Sequence, residues 1–292
     1  MSWRDRNYNP GREEMNAYFA NPAALLNYSL PIYKTPSFYI RLHFWFLLFV
    51  LFDAIMVFRG HIALFYIPLH IGLMLAAVLF HELGHSFFAR MVGGSHWEWV
   101  VWPMGGMVPP HVSRAPKPTF VANIGGNVFT LLAGLITLGC LVFMASKVTA
   151  SPSFAIFKLN PLGLDAKLSA NAAQWIIVLR NCLIYFTDLC AAILVINFFP
   201  CYWFDGGLIW QSILTPFVGA WKGISITCMA CMVLAVPFFF YTTFNIDLLG
   251  MAVWALIFAD GFMRRCDLIA ACPGLFEGDY FAYNYIERDT PT

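Results

Sequence analysis

Charge is what this sequence has least of. Only 11% of its 292 residues are Asp, Glu, Lys or Arg, against about a quarter in an average soluble domain. The formal net charge is +1, so no basic field is offered to a phosphate backbone and no nucleic-acid partner is expected. The first 27 residues are polar and aromatic, with Arg4, Arg6, Arg12, Glu13 and Glu14, and contain no apolar core of a leader; no cleavable signal peptide is expected. No internal repeat and no appended soluble domain stands out. Among eight cysteines, Cys228 and Cys231 form the one Cys-x-x-Cys. It lies inside an apolar run without a second pair or a neighbouring histidine, which reads as small core residues rather than a redox or metal pair.

Apolar side chains fill the space that charge leaves. The chain is 60% hydrophobic and 17% aromatic, with a mean hydropathy of +0.68. A bilayer core needs about 20 apolar residues per helix, and the runs at 40–58, 62–91, 120–145, 175–199, 217–241 and 244–262 predict an all-α polytopic membrane protein of about six transmembrane helices. Pro68 is a candidate kink in the second. Residues 1–39 read as a polar N-terminal arm, 40–262 as the membrane domain and 263–292 as a C-terminal tail. Between the second and third runs, 93–118 is too rich in Pro and Gly for a helix. Its Trp97, Trp99 and Val100-Val101-Trp102 predict a short interfacial strand or hairpin. Residues 200–211 read as a polar, glycine-containing connection. Six spans put both termini on one side, and the basic residues Arg41, Arg90, Arg114, Lys117, Arg264 and Arg265 make that side cytoplasmic, in a plasma (inner) membrane.

The second run ends in His81-Glu82-Leu83-Gly84-His85. Two imidazoles four residues apart share one helix face and can bind one zinc ion, and Glu82, beside the first, is placed to hold and deprotonate a water there. A catalytic zinc takes three protein ligands. His43, His61, His70, His96 and His111 are the remaining histidines; His43 reads as interfacial, His96 and His111 as exposed loop residues. Asp205, just past the fourth run and followed by Gly206 and Gly207, is the better third ligand, since the glycines let backbones approach closely. The second and fourth runs point the same way through the bilayer, so their ends reach the same face and these ligands can meet.

With these motifs the sequence resembles the site-2 protease family, the intramembrane zinc metalloproteases. The likeness rests on His81 to His85, on the N-x-x-P-x-x-x-x-D-G-G run at 197–207, on Pro103-Met104-Gly105-Gly106 and on Ala122-Asn123-Ile124-Gly125-Gly126-Asn127. In the last, Asn123 and Ile124 stand where the family pattern has Gly and Pro, while Asn127 stays in register. The resemblance implies peptide-bond hydrolysis in or beside the bilayer, near its cytoplasmic side, on a transmembrane protein substrate. His81, His85 and Asp205 would hold one zinc per chain and Glu82 would be the general base. Asn127 and Asn197 would orient substrate or stabilise the oxyanion. The strand-like loop, through Trp99, Val101, Gly105 and Gly106, would pair with an extended substrate.

Polar residues inside a membrane helix cost a few kcal/mol each and are usually functional, so two His and one Glu within five positions are not explained by packing. Asn127 reads equally as an interhelical hydrogen bonder. A catalytically silent binder or chaperone of membrane segments is the alternative function, although such a protein has no need of Glu82. A metal channel would line several levels of the membrane with ligands; here they gather at one.

Overall fold

Proline and glycine set most of the boundaries in this fold. A computed structural model describes residues 29–35, 38–59, 64–147, 174–244 and 248–271. The arm up to residue 28 and residues 36–37, 60–63, 148–173, 245–247 and 272–292 lie outside the described residues. In chain order the elements are β1 (Ser29–Lys34), β2 (Tyr39–His43), α1 (Trp45–Phe58), α2 (Tyr66–Met91), β3 (Glu98–Trp102), β4 (Gly105–Gly106), α3 (Pro116–Lys147), α4 (Gln174–Phe198), α5 (Asp205–Val218), α6 (Ala220–Phe244) and α7 (Leu248–Ala271).

Helix α2 carries the metal motif and has well-defined ends. Pro68 lies in its first turn, where backbone N–H groups have no intrahelical acceptor, so the proline breaks no helical bond. At the other end Gly93, with φ +75°, reverses the chain. Its N–H bonds to Arg90 O at 3.1 Å and that of Gly94 to Ala89 O at 2.8 Å, the paired bonds of a Schellman motif. Helix α3 likewise begins on Pro116 and Pro118, inside its unpaired first turn.

The chain is a helical, multi-pass membrane protein, but among the described residues four helices rather than six are long and apolar enough to cross: α2, α3, α4 and α6. The first predicted span, 40–58, divides into strand β2 and the 14-residue α1, which is about 21 Å long against a hydrocarbon core of about 30 Å. From Leu248 on, the run at 244–262 lies in α7, which carries Asp260, Arg264, Arg265 and Asp267 and is not one of the four. The connection at 200–211 also differs: helix α5 starts at Asp205 and takes in both glycines. They are there for space. A Cβ on Gly206 would press on Phe199 O, and one on Gly207 would lie 2.7 Å from Tyr202 Cα.

The β structure exceeds the expected hairpin. A four-stranded sheet runs in the order β1-β2-β3-β4, so the fold is not all-α. β1 and β2 are antiparallel, β2 and β3 parallel with Ile40 opposite Trp99 and Leu42 opposite Val101, and β3 and β4 antiparallel with Val101 opposite Gly106. Arg41 and Glu98 pair across β2 and β3 at 3.2 Å. In β2, Ile40 and Leu42 alternate with Tyr39, Arg41 and His43. The first two pack on a core formed by Phe46 of α1, Met74, Ala77 and Val78 of α2, Val101, and Tyr185, Leu189 and Ile193 of α4. His43, expected at the interface, is buried, and its Nδ1 accepts the Trp45 N–H at 3.3 Å. Burial pushes the His43 imidazole down to about 4, helped by the charge of Arg41. A second core joins Cys201 to Cys231, Ala235 and Ile257, and both cysteines are free and buried.

One close approach decides where the metal motif lies. Helices α2 and α3 cross at Gly84 and Gly125: a Cβ on Gly84 would press on Gly125 O, and one on Gly125 would lie 2.6 Å from Gly84 O. Glycine at both positions lets the backbones touch, as small residues do between membrane helices.

Candidate metal centre

The Gly84–Gly125 contact brings α3 within reach of both histidines of α2. His81 Nδ1 lies 2.9 Å from Thr130 Oγ1. The Thr130 hydroxyl donates its proton to Gly126 O at 2.9 Å, so toward His81 its oxygen is an acceptor and His81 carries its proton on Nδ1. His85 Nδ1 lies 2.9 Å from Ala122 O, a carbonyl that only accepts. Both rings are thereby held as Nδ1–H tautomers with the Nε2 lone pair turned outward, the arrangement that outer partners impose on metal-binding histidines.

These two Nε2 atoms and one carboxylate oxygen converge. His81 Nε2 and His85 Nε2 are 3.1 Å apart, and Asp205 Oδ2 lies 3.1 Å from the first and 3.0 Å from the second. His81 and His85 are buried, and the Asp205 side chain is 13% exposed. Two Nε2 lone pairs and a carboxylate oxygen thus face one another at close range, an arrangement that a cation seated between the three would satisfy. Three donors around a tetrahedral zinc with bonds of about 2.0–2.2 Å are separated by roughly 3.3–3.5 Å, so the trio fits after opening by a few tenths of an ångström. His81, His85 and Asp205 are the group of three side chains that could hold a metal ion found among the described residues.

Glu82 is buried beside the trio. Its Oε2 accepts from His96 Nε2 at 2.8 Å, and its Oε1 has no partner among the described residues. His96 is thus not the exposed loop histidine the sequence suggested; it is buried. The signal for it lay in Gly93-Gly94, which turns the chain back along α2 and returns residue 96 to the level of Glu82. His111 is exposed, as expected.

The glycines of β4 cover the trio. Gly105, with φ +143°, leaves room for Asn197 Nδ2 and His81 Nε2, which a Cβ would meet at 3.3 and 3.5 Å; a Cβ on Gly106 would press on the Glu82 carboxylate. Val101 is buried and paired on both sides, to Leu42 and to Gly106, so β3 does not offer it to a further strand. Trp99 pairs with Ile40, and its indole N–H donates to Ser86 Oγ at 3.1 Å. The edge of the sheet next to the trio is β4.

Asn197 ties the site together. Its Nδ2 donates to Met104 O at 2.6 Å and Ile193 O at 3.0 Å, and its Oδ1 accepts the Asp205 N–H at 3.5 Å. Both amide protons are engaged by carbonyls, which suits a brace between the β3–β4 turn and Asp205 better than an oxyanion donor. Asn127 is buried and donates to Asn197 O at 3.3 Å. Asn123, in place of the expected glycine, bonds to Thr119 O at 2.7 Å within its own helix.

Comparison with family models and with curated proteins gives no match. Among solved structures the fold is similar to that of the Site-2 Protease from Methanocaldococcus jannaschii, with a TM-score of 0.54 and 20% identity, over 82% of this chain and 95% of that one. At that identity the likeness is one of fold.

Proposed function

We propose that the chain is an intramembrane zinc endopeptidase of the site-2 protease family. The observation that carries this reading is the meeting of His81 Nε2, His85 Nε2 and Asp205 Oδ2 within 3.0–3.1 Å, beside a buried glutamate, inside a bundle of apolar helices. The resemblance in the sequence motifs and the likeness of fold point the same way.

His81, His85 and Asp205 hold one zinc per chain. Zinc bound there supplies a Lewis acid that polarises the scissile carbonyl and makes water nucleophilic near neutral pH. The remaining work falls to the chain. Glu82 Oε1 takes the proton of the attacking water and returns it to the departing amine, so that one water is consumed and one peptide bond broken. The substrate is a membrane-spanning or membrane-adjacent peptide segment. A helical segment hides its carbonyls in hydrogen bonds and must unwind first; the extended stretch then adds to the edge of β4, at Gly105 and Gly106. Arg90, Arg114 and Lys117 flank the α2–α3 connection on the side of the site, and by the positive-inside rule they support a reading in which the site lies toward the cytoplasmic face of a plasma (inner) membrane, with cytoplasmic termini.

The test uses purified full-length protein in detergent. It binds about one zinc per chain and cleaves single-span peptides, and Glu82→Gln keeps the metal while losing about 10²–10⁴-fold in rate. Full zinc occupancy with no cleavage of any transmembrane peptide sinks the reading in favour of a silent segment binder.

A further inference from the structure

The Glu82–His96 bond is better built than a buried carboxylate needs for its own solvation. Residue 96 lies in a connection pinned to α2 at several points. Gly94 N–H bonds to Ala89 O at 2.8 Å, and Ser95 and His111 exchange backbone bonds of 2.9 and 2.8 Å. Ser86 Oγ donates to His96 O at 3.2 Å and itself accepts the Trp99 indole N–H at 3.1 Å. The Trp99 ring is stacked against the His96 ring, with centroids 6.2 Å apart and planes 28° from parallel. Backbone, carbonyl and ring face of His96 are thus all restrained. Its Nε2 lies 2.8 Å from Glu82 Oε2, while its Nδ1 is buried without a partner among the described residues.

The carboxylate is confined from the other side as well. Gly106 leaves just enough room for it, since a Cβ there would overlap both oxygens. A glutamate side chain free to turn offers either oxygen to a proton. Here Oε2 is engaged, and Oε1 has no partner among the described residues.

We infer that His96 is a positioning residue for Glu82: its Nε2–H holds Oε2 against rotation, leaving Oε1 as the oxygen that exchanges the proton of hydrolysis. This rests on the peptidase reading. The role is one of geometry, and loss of such an outer partner costs about 10–100-fold in activity in comparable sites.

The experiment compares His96→Leu and His96→Gln in the full-length, zinc-loaded protein, using a fluorogenic single-span peptide that wild type cleaves. His96→Leu lowers kcat about 10–100-fold with KM and zinc content unchanged. His96→Gln, whose side-chain amide keeps an N–H donor, restores most of kcat. A readout without metal accompanies these. In zinc-stripped protein His96→Leu lowers the melting midpoint by several degrees, and Glu82→Leu combined with His96→Leu recovers it, because removing both partners leaves no buried carboxylate unpaired. Wild-type kcat in His96→Leu overturns the inference. So does loss of zinc in that variant, an effect on KM alone, or a His96→Gln enzyme as slow as His96→Leu. Failure of the peptidase reading looks different: wild type and Glu82→Gln are then equally inert with zinc bound, and the kinetic role of His96 falls with it.

Discussion

Gly126→Ala is the smallest substitution that separates a metal centre from a polar cluster. Gly126 faces both imidazoles across the α2–α3 contact. A Cβ built on it presses on His85 Nε2 and lies 2.6 Å from His81 Nε2 and 2.7 Å from His81 Cε1. Ordinary contact begins at 3.4 Å, so the His81 ring must yield by about 0.8 Å. Metal–ligand distances tolerate only about ±0.2 Å. The rings cannot swing aside cheaply, because their Nδ1 atoms are tied to Thr130 Oγ1 and Ala122 O at 2.9 Å each. Parting the helices would forfeit the close backbone packing at Gly84 and Gly125. Zinc affinity should fall by at least about 100-fold, the upper range for disturbing an outer partner alone. Chelator competition and elemental analysis measure it. Alanine is a better helix former than glycine by about 0.5–1 kcal/mol, so helix content by circular dichroism should be retained. A Gly126→Ala protein that binds zinc as tightly as wild type would refute the assignment of His81 and His85 as ligands.

Gly106→Ala should give the complementary phenotype. Its methyl meets Glu82 rather than the His81–His85–Asp205 trio, so zinc should be retained while kcat falls on the order of 10²-fold, read by peptide cleavage beside metal analysis. Thr130→Val keeps the shape of the side chain but removes the acceptor of His81 Nδ1, and zinc affinity measured by chelator competition should drop about 10–100-fold. For His43 the sign is set by its lowered value: the folded protein keeps the ring neutral down to about pH 4, whereas the unfolded chain protonates it near 6.5. The stability it confers is complete above pH 6.5 and is lost as the pH falls from about 6.5 to about 4. Thermal melts across that window should show the loss, and His43→Asn, which keeps an acceptor for Trp45 N–H, should remove this component.

The differences between sequence and structure have definite causes. Strand β2 was hidden because Tyr39 to His43 runs directly into the apolar residues of α1; the alternation that marks it covers five residues, and a hydropathy window merges it with the adjoining helix. Helix α5 was hidden by Gly206 and Gly207, which read as a turn but answer to the close approach of Phe199 O and Tyr202 Cα. The meeting of Asp205 with His81 and His85 does not depend on the number of spans, because it involves only α2, α3, α4 and the first residue of α5. His96 could not be ranked above His43 or His111 by spacing alone.

By itself, the sequence carried the membrane setting of this protein and the three side chains, His81, His85 and Asp205, that the fold brings together. Apolar composition marks the chain as a membrane protein, and the spacing of His81 and His85 settles that they share one helix face, because both are local properties of the chain; which runs form helices long enough to cross was decided by the fold. Only the tertiary structure decided how Glu82 is held. Its partners are His96, brought back along α2 by the Gly93-Gly94 turn, and Gly106, delivered by pairing with Val101. Those contacts arise from chain reversal and sheet register, which depend on how elements pack against one another, and no single stretch of sequence contains that information.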